Sequence, residues 1–235
     1  MPTQQWLTVP TASTPMRLFT ARPDGEGPFP AVVVIQEVLG VNDNIQGIAT
    51  RLAEAGFFAA APELFHREPK TTFSFPELQD AMAAAMRLTE EGLVADLNDA
   101  AAAIRARPEV KKGRLGIVGF CLGGRVALVA AAHTPHFGAV ASFYGSRIAG
   151  TKLVDEVAKL EIPIRIFYGG SDPWIPVEQP RAIAARLAEL GSHAELVVYD
   201  QAGHGFVNRP EESPANAEAA TSAWARTLAL FKSSL

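Results

Sequence analysis

The chain has a single cysteine, Cys121, and it stands between Gly119 and Gly123 in the stretch GFCLGGR. A nucleophile-type residue with glycines two positions before and two after, lying between an apolar run and a helix-forming stretch, has the spacing of a nucleophile elbow. Such a turn holds its central residue in a strained backbone conformation, and side chains two residues to either side would collide with neighbouring main chain. The helix that follows would point free N–H groups and its positive dipole end at the sulfur, favouring a thiolate and a developing oxyanion. A lone cysteine is also a common buried apolar residue, so the elbow by itself leaves both roles open.

Because a free thiol is only slightly ionised at neutral pH, acyl transfer through Cys121 calls for a nearby imidazole. Of the five histidines, His66 falls in a polar stretch, His133 and His136 flank Pro135, and His193 precedes a β-rich run; these read as surface or turn residues. His204, in DQAGHGF, comes just past the run 195–199. Asp172, in YGGSDPWIP, comes just past the run 163–168 and is the carboxylate best placed to orient it. Turn chemistry explains each of them singly, through Gly203 and Gly205 around the histidine and an Asp-Pro turn at 172. Jointly they give the chain order nucleophile, acid, histidine, each beyond a predicted parallel strand, and that order is the one used by α/β-hydrolases. A fourth residue, Glu37 in VIQEVLG, follows the run 31–35. It is either a solvated loop glutamate or, protonated or rotated, a hydrogen-bond partner for the resting thiol.

Positioning these residues requires a mainly parallel sheet whose carboxyl edge carries all of them. Apolar runs at 31–35, 57–61, 114–118, 138–143, 163–168 and 195–199 read as strands buried on both faces, and 16–20 as an edge strand before the Pro/Gly-rich turn at 23–30. Helical periodicity places Ile45, Ile48, Ala49, Leu52 and Ala53 on one face ahead of Gly56, and Ile183, Ala184, Leu187 and Ala188 on another ahead of Gly191. The stretch 76–107 reads as two helices or one bent helix, interrupted at Gly92 and ended by Pro108. The expectation is one α/β domain over 1–235 with helices on both faces of the sheet, residues 1–15 forming an N-terminal extension as an edge strand or loop.

Composition sets outer limits. With 48% hydrophobic residues, 20% charged residues and a formal net charge of −4, the chain has the make-up of a soluble globular protein and lacks a clustered basic face for nucleic acid. One cysteine forms no internal disulfide, the first residues lack the pattern of a secretory signal, and no apolar run is long enough for a membrane span; the expected location is cytoplasmic. GIVGFCLGG is neither a dinucleotide fingerprint nor a P-loop, and no histidine pair has metal-ligand spacing, so neither cofactor nor metal is expected.

Taken together, VIQEVLGVNDNI, AAPELF, GFCLGG, SDPWIP and AGHGF resemble the dienelactone hydrolase family, the carboxymethylenebutenolidases, from about residue 16 to the C-terminus. The resemblance implies an α/β-hydrolase fold and a cysteine-dependent hydrolase of a small ester or lactone working through an acyl-thioester. Cys121 would be nucleophile, His204 base, Asp172 its orienting acid, and Glu37 the holder of the resting thiol. The main-chain N–H groups of Leu122 and Val38 would form the oxyanion hole, and Tyr144 would line the pocket. Family members that act on dienelactone hold its carboxylate with two arginines. Here Leu78 falls at the first position and Arg209 arrives one residue late at the second; Arg87, Arg67 and Arg125 are the other cations at hand. The implied partner is a small molecule, with no nucleic acid and no membrane, acting on a monomer or small homo-oligomer. A different class remains open at this stage, a binding or regulatory protein that kept the fold without the chemistry.

Overall fold

The computed structural model describes all of residues 1–235. Eight strands form one sheet in the order β1-β2-β4-β3-β5-β6-β7-β8: Thr3–Val9 (β1), Met16–Arg22 (β2), Ala31–Ile35 (β3), Phe58–Pro62 (β4), Leu115–Phe120 (β5), Phe137–Phe143 (β6), Ile164–Gly169 (β7) and Glu195–Tyr199 (β8). Strands β3 to β8 run parallel, while β1 and β2 join one edge antiparallel. The helices are Asp43–Glu54 (α1), Leu78–Met86 (α2), Glu90–Arg105 (α3), Leu122–His133 (α4), Lys152–Val157 (α5), Glu178–Glu189 (α6) and Pro214–Ser234 (α7).

The apolar runs become the central strands because helices cover both faces of the sheet: β3, β4 and β5 are buried at every position. A single cluster of 62 buried residues spans sheet and helices. Strand β1 is the exception, exposed along most of its length, with Trp6 lying over the Arg17 guanidinium at 4.5 Å.

Two features differ from the expectation beyond shifts of a residue or two at strand ends. Residues 16–20 fall in β2, which is not an edge strand because β1 pairs along its outer side. The break in 76–107 falls at 87–89, and Gly92 lies inside α3. Thr89 caps α3, its hydroxyl accepting the Gly92 N–H at 3.1 Å, so a capping side chain sets the break and the glycine does not.

The strand order reverses between β3 and β5. The chain leaves β3 through α1 toward β4 and leaves β5 through α4 toward β6, so the loops at their carboxyl ends diverge and open a crevice, the usual ligand position in a parallel α/β sheet. Beneath that edge Phe120, Phe143 and Phe167 pair across adjacent strands and stack at 4.9 and 4.7 Å. These rings form a stiff platform under the loops that carry Cys121, Tyr144 and Asp172.

Candidate active site

Cys121 links β5 to α4 with φ 53° and ψ −115°, a left-handed conformation that a side chain adopts only when its surroundings impose it. Main chain packs closely against the turn on both sides of it. A Cβ at Gly119 would lie 1.9 Å from the Gly123 carbonyl oxygen, and one at Gly123 would lie 2.6 Å from the carbonyls of Ile35 and Gln36. Helix α4 can therefore approach β5 and the loop after β3 only because these positions are glycine. That approach brings Val38 and Leu122 to the wall of the same cavity as the thiol. The Val38 N–H makes no main-chain hydrogen bond, and the Leu122 N–H belongs to the first helical turn, where no partner within the helix exists.

His204 and Asp172 meet at the ends of β8 and β7. Asp172 Oδ2 accepts from His204 Nδ1 at 2.6 Å, and Oδ1 accepts the N–H groups of Trp174 and Ile175 at 2.8 and 3.0 Å, which fixes the carboxylate. The two loops are latched together, Ser171 N–H donating to Ala202 O at 3.0 Å, while the Asn216 side chain on α7 accepts the Gly203 N–H at 2.8 Å. With Nδ1 on Asp172, the buried Nε2 of His204 is left without a hydrogen-bond partner and shares a cavity wall with Cys121. Burial alone would lower the His204 pKa, but its interactions with Asp172 and Cys121 outweigh burial and push it up to about 9.

Glu37 lies in a smaller cavity with Cys121, His204, Asn44, Asn208 and Arg209. Burial raises its carboxyl above the ordinary carboxylate range, offset only in part by Asn208, His204, Arg209 and Asn44. The Asn208 amide faces it without closing a full hydrogen bond, and no hydrogen bond joins Glu37 to Cys121 in this conformation. Tyr144, with φ 40°, is fully buried and lines neither cavity; its ring packs 5.0 Å from that of His204, and its hydroxyl has no partner.

Two cavities thus meet at the thiol. The smaller, about 130 Å³, has Leu78 and Arg209 on its walls. The larger, about 430 Å³, is lined mostly by apolar side chains, from α2, α3 and α4 and from the loops around them. Among the other cations, Arg67 is held by Asp96 and Arg87 by Glu68, whereas Arg125 reaches the larger cavity while bonded to Glu90 at 3.1 Å. The His66 ring is buried against Asp96, a contact its place in a polar stretch does not announce. No group of three or more His, Cys, Asp and Glu side chains converges as metal ligands would.

The family model for the dienelactone hydrolase family matches residues 16–235. The chain belongs to the dienelactone hydrolase family. It is 36% identical over 233 residues to an Escherichia coli (strain K12) protein named "Putative carboxymethylenebutenolidase", covering 95% of this chain and 84% of that one. A Klebsiella pneumoniae crystal structure described as a "Putative Dienelactone Hydrolase" superposes with a TM-score of 0.86 at 30% identity, covering 99% of both chains. A dienelactone hydrolase-like promiscuous phosphotriesterase from metagenomic libraries shares the fold, with a TM-score of 0.83 at 22% identity over 99% of this chain and 98% of that one. Membership in the dienelactone hydrolase family makes the chain an α/β-hydrolase acting on esters or lactones. No helix is long and apolar enough to cross a membrane.

The pattern of the sequence points to Cys121, Asp172, His204 and Glu37, and the family resemblance adds Val38, Leu122 and Arg209; in the structure six of these line the two cavities, and Asp172 bonds the His204 ring behind them. Neither the pattern nor the resemblance singles out Trp174 or Asn208. Trp174, 56% exposed, lies 5.0 Å from the His204 ring and lines both cavities. The signal for it is its position two residues after Asp172 in SDPWIP.

Proposed function

We propose that the protein hydrolyses a small ester or lactone through a Cys121-His204-Asp172 triad and an acyl-thioester. The observation that carries this reading is the set of a left-handed Cys121 at a helix start and a His204 whose Nδ1 is fixed by Asp172 at 2.6 Å, leaving Nε2 for the thiol.

His204 takes the thiol proton at Nε2, and the Asp172 carboxylate on its other ring nitrogen steadies the imidazolium that results. The sulfur attacks the ester carbonyl carbon, and the oxygen becomes an oxyanion that the Leu122 and Val38 N–H groups receive. Collapse breaks the carbon–oxygen bond, His204 protonates the departing alkoxide, and the acyl group remains on sulfur. Water, giving a proton to the now neutral His204, adds to the thioester; the carbon–sulfur bond breaks and the carboxylic acid leaves. Net consumption is one water per ester. Asp172 keeps the ring in the tautomer the cycle needs.

The test is acid quenching of a reaction with p-nitrophenyl acetate followed by intact-mass and peptide analysis. An acetyl group on Cys121 that disappears as substrate is exhausted is the expected result; turnover with Cys121 unmodified, or acylation of another residue, overturns the thioester route.

Glu37 is assigned the role of restraining the thiol in the free protein, since a carboxylate beside a thiolate disfavours it. Glu37→Gln removes that charge at nearly constant shape. Alkylation of Cys121 by iodoacetamide at pH 7 is expected to speed up by about tenfold. An unchanged rate removes Glu37 from control of the thiol.

A further inference from the structure

Only three residues other than glycine have φ in the left-handed region: Cys121, Tyr144 and Arg147, at 53°, 40° and 56°. The first forms the elbow and the second packs on His204. Backbone strain of this kind collects at functional positions, and Arg147 is the one whose role the hydrolytic cycle does not use.

Its conformation is imposed from both sides. Before it, the Gly145 carbonyl accepts the Tyr168 hydroxyl at 2.7 Å, and a Cβ on Gly145 would meet the Arg125 nitrogen at 2.8 Å. After it, Ile148 is buried and its carbonyl accepts the Thr151 hydroxyl at 2.7 Å. Arg147 itself is exposed and on the wall of the larger cavity. Of the arginines lining the two cavities, Arg209 is paired with Glu212 at 2.9 Å and Arg125 with Glu90, while Arg147 has no acidic partner.

A guanidinium without an acidic partner on a mostly apolar wall calls for a ligand with matching parts. The apolar side chains of Met82, Met86, Leu88 and Leu122 favour a hydrocarbon arm, and Arg147 favours an anion on that arm, best a planar carboxylate that takes two N–H groups at once. The cavity of about 430 Å³ is large for a compact lactone and leaves room for such an arm beyond the reacting carbonyl.

We propose that Arg147 selects esters whose apolar arm, lying in the larger cavity, ends in a carboxylate. This rests on the hydrolase reading for the reaction but not for the binding preference, and the two are separable by experiment.

The probes are the monomethyl and dimethyl esters of hexanedioic and octanedioic acid, matched in shape and different in charge. Calorimetric titration of Cys121→Ala protein is expected to give about tenfold tighter binding of the monomethyl ester at one chain length, an advantage that shrinks with added salt. Adding Arg147→Asn, a residue that tolerates the left-handed backbone, brings the ratio near one, and Arg147→Lys restores part of it. Equal binding of the two esters, failure of both to bind, or a preference that survives Arg147→Asn overturns the proposal. Hydrolysis of the same esters by the unmodified protein completes the separation. Cysteine-dependent hydrolysis without charge preference refutes the role of Arg147 and keeps the hydrolase. A charge preference in binding without hydrolysis counts against the cysteine cycle for these esters and keeps Arg147 as the binding determinant.

Discussion

Cys121→Ala is expected to lower kcat/KM for every ester or lactone the protein turns over by at least about 10⁴-fold, the scale of nucleophile loss in a coupled triad. The fold should survive. The Cys121 N–H donates to the Phe143 carbonyl at 3.0 Å and its carbonyl accepts the Gly124 N–H at 3.0 Å, and alanine keeps both bonds. A second readout ties the loss to the triad. Cys121 helps hold the His204 pKa at about 9, so its removal should shift the imidazole titration, followed by NMR, downward. The sign for stability follows from the same shift. A histidine whose folded pKa lies above its ordinary value of about 6.5 stabilises the fold fully below that value and loses the contribution as pH rises through about 9. The variant should therefore fall furthest behind the wild type in acid and approach it in alkali. Comparable turnover by the alanine protein would end the cysteine mechanism, and an unmoved titration would separate Cys121 from His204.

Most of the candidate set can be read from the sequence because each member sits directly after an apolar run, and in a parallel sheet such positions share one edge. Cys121, Asp172 and His204 follow β5, β7 and β8, and Glu37 and Val38 follow β3, so local pattern is enough to bring them together. What the sequence does not display depends on contacts between distant segments. Strand β1, polar at most positions, is a strand only because it pairs with β2, and TQQWLTV alone carries little strand periodicity. The resemblance puts Tyr144 on the pocket wall; its side chain instead fills the space among Phe120, Phe143, Phe206 and His204, a position fixed by β5, β6 and the loop after β8. Arg147 carries no motif at all. Its unpaired charge is visible only once the acids near Arg67, Arg87, Arg125 and Arg209 have been found, because those four sequence-equivalent cations are neutralised by residues up to 35 positions away. Which cation stays free is decided by packing and not by spacing.

Gly119→Ala is the substitution expected to cost the fold most for the fewest atoms. Its Cβ would lie 1.9 Å from the Gly123 carbonyl oxygen and 2.4 Å from the carbonyl carbon, closer than any side chain can be placed. Neither partner can step aside cheaply. Gly119 is paired with Ile35 on one side and Ser142 on the other, and Gly123 lies in the first turn of α4 against the carbonyls of Ile35 and Gln36. Relief requires moving α4 away from β5, which pulls Leu122 from Val38 and turns the Cys121 sulfur off its line to His204. The expected loss is about 3 kcal/mol or more, or a fall in Tm of roughly 10 °C for a chain of this size, together with loss of turnover in whatever fraction remains folded. Gly47→Ala is the matched control. That glycine lies on the exposed face of α1 with nothing within 4 Å of the point a methyl group would occupy, so alanine should raise stability by about 0.5–1 kcal/mol through helix propensity alone. Opposite shifts in Tm from the same methyl group would place the cost of the first change in the elbow; a small effect at Gly119 would mean that the turn relaxes more freely than the close approach of β5 and α4 allows, and that the strained conformation of Cys121 is not held by it.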